Sequence, residues 1–336
     1  HTIVRIMRMV CEIVCPGILL LGEVVMAPEK VVPYFGTVEK PECHLLYNVT
    51  TMASTWHTVA TKDVSLLRRQ LDIISNLPGD CVFQNYLRCH DDIGWGLDYE
   101  YLENFGIQEV PHKKYLNDFL TGKYPDSFAR GELYNDDPRL GDARLCGTTA
   151  SLCGIERFGF EGNQEGVDRA VRYDITLHAF MLSQSGIPVI YSGDEIGQVN
   201  DYSYKDDPEK SDDSRYLHRG KFDWKLAENR HDPATVQGKL FPVLNKLEHI
   251  RSSHGIFNSN VPIHTIDTWD NSILAFVREN DEEKFIGIYN FSENDKVAWI
   301  NEEDGMYTDL ISGREMEAKG VQIPAFGCYW LCRNKQ

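Results

Sequence analysis

CVFQNYLRCHDDIGW, Cys81 to Trp95, is an apolar and aromatic run that ends abruptly in a histidine and two aspartates. A strand with one solvated face alternates apolar and polar residues. A run this apolar reads instead as a strand covered on both faces, as in a parallel sheet flanked by helices. Its neighbours agree. Upstream lie a helix over 2–15, the strand ILLLGEVV, a short helix opened by Pro28-Glu29, and the strand HLLYNVT. A long amphipathic helix over Thr51–Ile74 follows, closed by Asn76-Leu77-Pro78-Gly79. Downstream come a stretch rich in Gly, Asp and aromatics over 95–162, the helix VDRAVRYDITLHAFMLSQSG, and the strand IPVIYSGDEIG. After a loop rich in Asp and Lys, a helix carries Leu240, Val243, Leu244, Leu247 and Ile250 on one face. Strands alternating with helices predict a parallel α/β sheet. From Ser272 onward, short alternating runs separated by turn residues (SILAFVR, KFIGIYNF, CYWLC) predict an antiparallel β domain.

Composition narrows the function. With 336 residues, 42% of them hydrophobic, the chain can bury a large core. A net charge of −17 excludes a phosphate-backbone partner, which requires a basic footprint. The nine cysteines are scattered without paired CxxC spacing and read as reduced thiols of a cytoplasmic protein. The N-terminal segment imitates a signal peptide, but Glu12 and Pro16-Gly17 interrupt its apolar run. No run reaches the roughly 18 apolar residues of a membrane span.

Catalytic groups of parallel barrels sit at the C-terminal ends of strands and in the loops that follow. Three of the expected strands end in acids: Glu23, Asp91 with Asp92, and Asp194 with Glu195. Singly, each is more often a solvated residue or a cap. Converging carboxylates without a metal are what glycoside cleavage uses, one acid protonating the leaving oxygen while others stabilise an oxocarbenium-like transition state. Trp95, Tyr47 and Tyr191 offer flat faces for sugar rings. The spacing of Cys89, His90 and Asp91 matches no usual zinc pattern.

The segments LLLGEVVMAPEKVV, CHDDIGW and SGIPVIYSGDEIG resemble, in order, those of the α-amylase superfamily, glycoside hydrolase family 13. Within it, YLRCHDDIGW, SFARGELYN, GDARLCGTTASL and KSDDSRYLHR resemble the amylosucrase branch. The resemblance implies the second half of a (β/α)8 TIM barrel over 1–94 and 163–254. It also implies an inserted subdomain at 95–162 after the seventh strand and a C-terminal antiparallel β-sandwich over 260–336. Glu23 is then the general acid/base in a walled pocket, Asp91 the transition-state stabiliser, and His90 a hydrogen-bond donor to the same sugar ring, with Asp92 beside it. Arg215 meets a carboxylate at the pocket floor, and Glu42, Lys113, Arg130 and Arg144 line the acceptor side. The implied activity is retaining glucosyl transfer from sucrose to an α-glucan acceptor or to water, with no metal or organic cofactor. Hydrolysis of sucrose or short α-glucosides is the alternative, and a non-catalytic carbohydrate-binding remnant is the alternative of another class. The family's nucleophile segment, like G-F-R-x-D, and its earlier D-x-x-x-N-H segment have no counterpart here. The expectation is therefore a C-terminal part of a longer enzyme, catalytically incomplete alone, whose N-terminal barrel half is a partner and carries the aspartate that faces Arg215.

Overall fold

The computed structural model describes residues 1–137, 141–301 and 305–335. Six short strands occupy the first two thirds: β1 (Leu21–Gly22), β2 (Leu45–Tyr47), β3 (Phe83–Asn85), β4 (Glu132–Tyr134), β5 (Arg144–Cys146) and β6 (Ile187–Pro188). Four of them form a parallel sheet in the order β1-β2-β3-β6. Gly22 pairs with Leu46, Tyr47 with Gln84, and Asn85 with Pro188, so the C-terminal ends of all four strands open on one side. Gly186 allows β6 to approach β3: its φ is +108°, and a Cβ there would lie 2.3 Å from the carbonyl oxygen of Phe83. β4 and β5 form an antiparallel hairpin within the excursion between β3 and β6.

The helices confirm the periodicity with one correction. The single helix expected over Thr51–Ile74 is two, Val49–Thr61 and Ser65–Ser75. Lys62 takes a left-handed φ of 60° at the end of the first. The Asp63 carboxylate then accepts the Ser65 N–H at 2.8 Å and opens the second. The helix Gln164–Ser183 is buried along most of its length and begins where the Asn163 side chain accepts the N–H of Gly166. The helix Val236–Ser253 packs against it through Leu240, Leu244 and Leu247.

The C-terminal strands are β7 (His264–Ile266), β8 (Ile273–Glu279), β9 (Glu283–Asn290), β10 (Lys296–Ala298), β11 (Met306–Asp309), β12 (Glu315–Glu317), β13 (Val321–Ile323) and β14 (Cys328–Asn334). Six form an antiparallel sheet in the order β12-β11-β14-β9-β8-β7, and β10 pairs with β13. Side chains alternate across β8. Ile273, Ala275 and Val277 pack toward Ala298, Val321 and Ile323, while Leu274 and Phe276 join the helices in the main core. That core is continuous. Trp95, Leu116 and Phe128 of the 95–162 segment share it with Trp56, Tyr173 and Trp330, so this segment and the C-terminal sheet do not stand apart from the parallel sheet's helices. The nine cysteines form no disulfide. Among the described residues, no helix is long and apolar enough to cross a membrane.

The helix Thr2–Val14 buries none of its side chains. Its polar side faces inward, where His1 and Arg5 meet the fully buried Glu42, and Ile3, Ile6, Met9, Val10 and Ile13 face solvent.

Candidate active site

Glu23 follows β1 directly, and the loop His90-Asp91-Asp92 leaves β3 five residues after its end. The parallel register brings these ends together: His90 Nε2 lies 3.9 Å from Glu23 Oε1. Both side chains are about half exposed, so the walled pocket expected around Glu23 is not formed by the described residues. The loop is fixed from three directions. Ile93 exchanges backbone hydrogen bonds of 2.8 and 3.0 Å with Leu145 of β5. Arg219 Nε donates to the His90 carbonyl. Arg215 Nη1 donates to Asp91 Oδ1 at 3.1 Å.

Arg215 is itself held by a carboxylate of this chain. Its Nε and Nη2 donate to the two oxygens of Asp213 at 2.8 and 2.9 Å, and its guanidinium stacks 4.5 Å from the Tyr134 ring. Arg215 thus has a carboxylate partner within this chain as well as Asp91. Such a two-point pair is rigid.

The adjacent aspartates are pushed apart electrostatically. Against the upward push of partial burial, the Asp92 N–H and the Arg215 guanidinium hold the Asp91 carboxyl below the usual carboxylate range. Burial and the neighbouring Asp91 carboxylate push Asp92 up to about 6. Asp92 Oδ2 is sealed from solvent without a hydrogen-bond partner, and Arg144 Nη1 stands 3.7 Å from Oδ1.

Thus Glu23, His90, Asp91, Asp92, Arg144 and Arg215 come together at one mouth. The other three expected residues are engaged with other groups. Glu42 precedes β2 at the far end of the sheet and is consumed by His1 and Arg5. Lys113 pairs with Glu109 at 2.8 Å and Asp142 at 3.1 Å, and Arg130 lies 5.3 Å from the Phe160 ring. Trp95 is a core residue whose indole N–H donates to Asn117 at 2.7 Å, which removes it as a sugar platform. Tyr191 is covered by the Arg88 guanidinium 4.5 Å away, while Tyr47 stays half-buried near the mouth. A groove of about 660 Å³ lined by Pro28, Gln70, Tyr99 and Tyr101 lies among the helices rather than here.

Beneath the mouth is a buried pair whose meaning the sequence does not disclose. Arg88 Nε donates to Asp194 Oδ1 at 2.8 Å, Arg88 Nη1 to the His218 carbonyl at 3.0 Å, and Thr149 Oγ1 to Asp194 Oδ2 at 3.0 Å. Asp194, one of the converging acids, is therefore structural. Glu195 Oε2 folds back to accept the Gly193 N–H at 2.7 Å. The only sequence signal for Arg88 is an arginine inside an otherwise apolar strand end.

No family model matches the chain. It is 25% identical over 333 residues to the glucosylglycerate phosphorylase of Escherichia coli (strain K12), covering 98% of this chain and 56% of that protein. To the glucosylglycerate phosphorylase of Allomeiothermus silvanus it is 26% identical over 296 residues, 86% of this chain and 48% of that protein. The chain spans about half the length of these curated relatives. In fold it is similar to the α-amylase from H. orenii, with a TM-score of 0.56 and 16% identity over 100% of this chain and 57% of that one. The sucrose 6F-phosphate phosphorylase from Thermoanaerobacter thermosaccharolyticum gives a TM-score of 0.58 and 18% identity over 90% and 51%. The chain thus shares the fold of these two solved enzymes and is similar in sequence, at about a quarter identity, to glucosylglycerate phosphorylases.

Proposed function

We propose that this chain supplies the acid/base and sugar-binding side of a retaining α-glucosyl-transfer site. The observation that carries the reading is the meeting of Glu23 and His90-Asp91 at the C-terminal ends of two parallel strands. Glu23 is exposed enough to exchange protons with a leaving-group oxygen. Asp91, kept ionised by Arg215 and the Asp92 N–H, is suited to facing positive charge that develops at the sugar carbon. The donor is sucrose or a similar small α-glucoside, and the acceptor is an α-glucan or water.

Retaining chemistry also needs a carboxylate nucleophile roughly 5–5.5 Å from the acid. Asp194 is held by Arg88 and Thr149, and Asp91 by Arg215, so neither is free to attack. We propose that the nucleophile enters from a polypeptide docked along the open β1 edge, completing a barrel of which β1-β2-β3-β6 form half.

Inorganic phosphate is a second acceptor reading. The relatives' names favour it, and so do three arginines around one loop: Arg144, Arg215 and Arg219. The test incubates the chain, alone and as the product of its whole reading frame, with sucrose plus glycogen or plus phosphate. Fructose release with glucan growth supports the first reading, and glucose 1-phosphate the second. If neither form cleaves any α-glucoside, the proposal fails.

A further inference from the structure

We propose that Glu23, Cys89 and His90 form a three-donor site for a zinc-class divalent cation, and that a cation bound there occupies the acid/base carboxylate and closes the mouth. The second half of this statement rests on the role proposed for Glu23. The first half does not.

Glu23 Oε1, Cys89 Sγ and His90 Nε2 all lie within 4.8 Å of one another. Zinc bonds of roughly 2.0 Å to nitrogen or oxygen and 2.3 Å to sulfur place neighbouring donors somewhat closer than this. The site can tighten by side-chain rotation, because Glu23 and His90 are about half exposed and their 3.9 Å pair is longer than a hydrogen bond. The donors are mixed: a thiol, an imidazole and one carboxylate. Magnesium and calcium prefer all-oxygen cages, whereas this set matches zinc and cadmium. With three protein donors and an open side, a fourth position is left to water. On binding, the Cys89 S–H bond breaks, its proton passes to buffer, and the sulfur pair bonds the metal, with no redox change. Asp91 and Asp92 beside the trio add negative field that favours a cation.

A second trio shows what distinguishes the first. His254, Glu283 and Cys332 also lie within 4.8 Å of one another. There Glu283 already accepts hydrogen bonds from His254 and from the Ile256 N–H, and Glu283 and Cys332 are buried. A cation would have to break a made site there, whereas at Glu23 it meets a loose 3.9 Å Glu23–His90 pair and a Cys89 sulfur that accepts one 3.4 Å bond from the Asp91 N–H. The metal reading also could not come from spacing along the chain, since Glu23 reaches Cys89 and His90 only through the strand register.

The test is titration of the reduced chain with cadmium, read by the ultraviolet thiolate-to-cadmium band, and with zinc, read by competition with a chromogenic chelator. One equivalent is expected to bind tightly. Cys89→Ser and Cys89→Ala should abolish the band's first equivalent, His90→Gln and Glu23→Gln should each weaken binding at least tenfold, and Cys332→Ser should leave it unchanged. Unchanged thermal melting of each variant shows that loss of binding is not loss of fold. A first equivalent that survives both Cys89 variants, or that vanishes in Cys332→Ser, overturns the site. Where α-glucoside turnover is present, zinc should inhibit it at least tenfold less in Cys89→Ser. Binding without any such turnover would count against the function proposed above and leave the metal site standing. Turnover that depends on Glu23 but resists zinc would do the reverse.

Discussion

The side chains of Arg88 and Asp194, 106 positions apart, meet at 2.8 Å with both sealed from solvent. Arg88 belongs to the segment that leads from β3 to His90 and Asp91, and Asp194 to the turn after β6. The second arginine nitrogen holds the His218 carbonyl, three residues from Arg215. One buried guanidinium thus joins the three segments that build the mouth. Removing one member of a buried pair leaves the other charge unpaired, at a cost of about 3–5 kcal/mol. Arg88→Met and Asp194→Asn should each lower the unfolding free energy by that order in a denaturant titration, and Arg88→Met with Asp194→Leu should recover part of the loss. Additive losses in the double variant would show that the two side chains do not act as a pair.

Arg215 acts differently, because about a quarter of its side chain is exposed and its pairs are partly solvated. Arg215→Ala should cost no more than about 1 kcal/mol in stability. It should weaken turnover per folded molecule far more, and the acid limb of the pH profile should move upward as Asp91 loses a cation that holds its carboxyl down. A lowered melting temperature with unchanged turnover and pH profile would make Arg215 structural.

Asp92 sets a pH dependence of stability with a definite sign. Its folded carboxyl titrates near 6 because of burial and Asp91, against an ordinary value of 3.8. Between these values the folded state binds more protons than the unfolded one, so this group makes stability fall as pH rises from about 4 to about 6. Asp92→Asn should flatten that window and add about 1–2 kcal/mol at pH 7, part of the penalty being screened by water. Unfolding at pH 4 and pH 7 for both proteins checks it. An unchanged difference would mean that Asp92 is ionised without penalty.

Much of this arrangement was legible in the sequence because it depends on local patterns. Apolar runs ending in acids marked the strand ends, and parallel register alone then brought Glu23 to His90. What was not legible depends on partners distant in the chain. Nothing in the helical periodicity over Thr51–Ile74 announces the left-handed turn at Lys62, since apolar residues recur on both sides of it. Trp95 looked like a sugar platform until Asn117 took its N–H. Glu42, Lys113 and Arg130 came from resemblance, which carries a position but not the salt bridges and packing that occupy each side chain here. Asp213 was missed although it stands two residues from Arg215, because an acid in a run of acids carries no distinguishing signal.

If Glu23 protonates a leaving oxygen, Glu23→Gln should lower turnover of sucrose by several orders of magnitude and spare activated donors whose leaving groups need no proton. Asp91→Asn should slow both kinds alike. Equal losses across leaving groups for Glu23→Gln would remove it from the acid role.

The helix Thr2–Val14 should govern how the chain behaves in solution. It points Arg5 and His1 at the buried Glu42 and turns Ile3, Ile6, Met9, Val10 and Ile13 outward, each more than half exposed. Ile18, Leu19 and Leu21 continue the apolar surface onto β1, which is one edge of the parallel sheet. At the opposite edge, Ile187 and Val189 are also exposed beside β6. Open strand edges present unpaired N–H and C=O groups, and contiguous apolar patches drive association. The purified chain should therefore bind a hydrophobic dye and elute larger than a monomer, increasingly so with concentration. Ile6→Glu with Ile13→Lys should reduce both signals without loss of melting temperature, because neither side chain is buried. Glu42→Gln should instead loosen the helix by leaving Arg5 without its carboxylate, raising dye binding further. A monodisperse, dye-negative monomer at tens of micromolar would show that this face is covered within the chain and would remove the β1 edge as a docking surface.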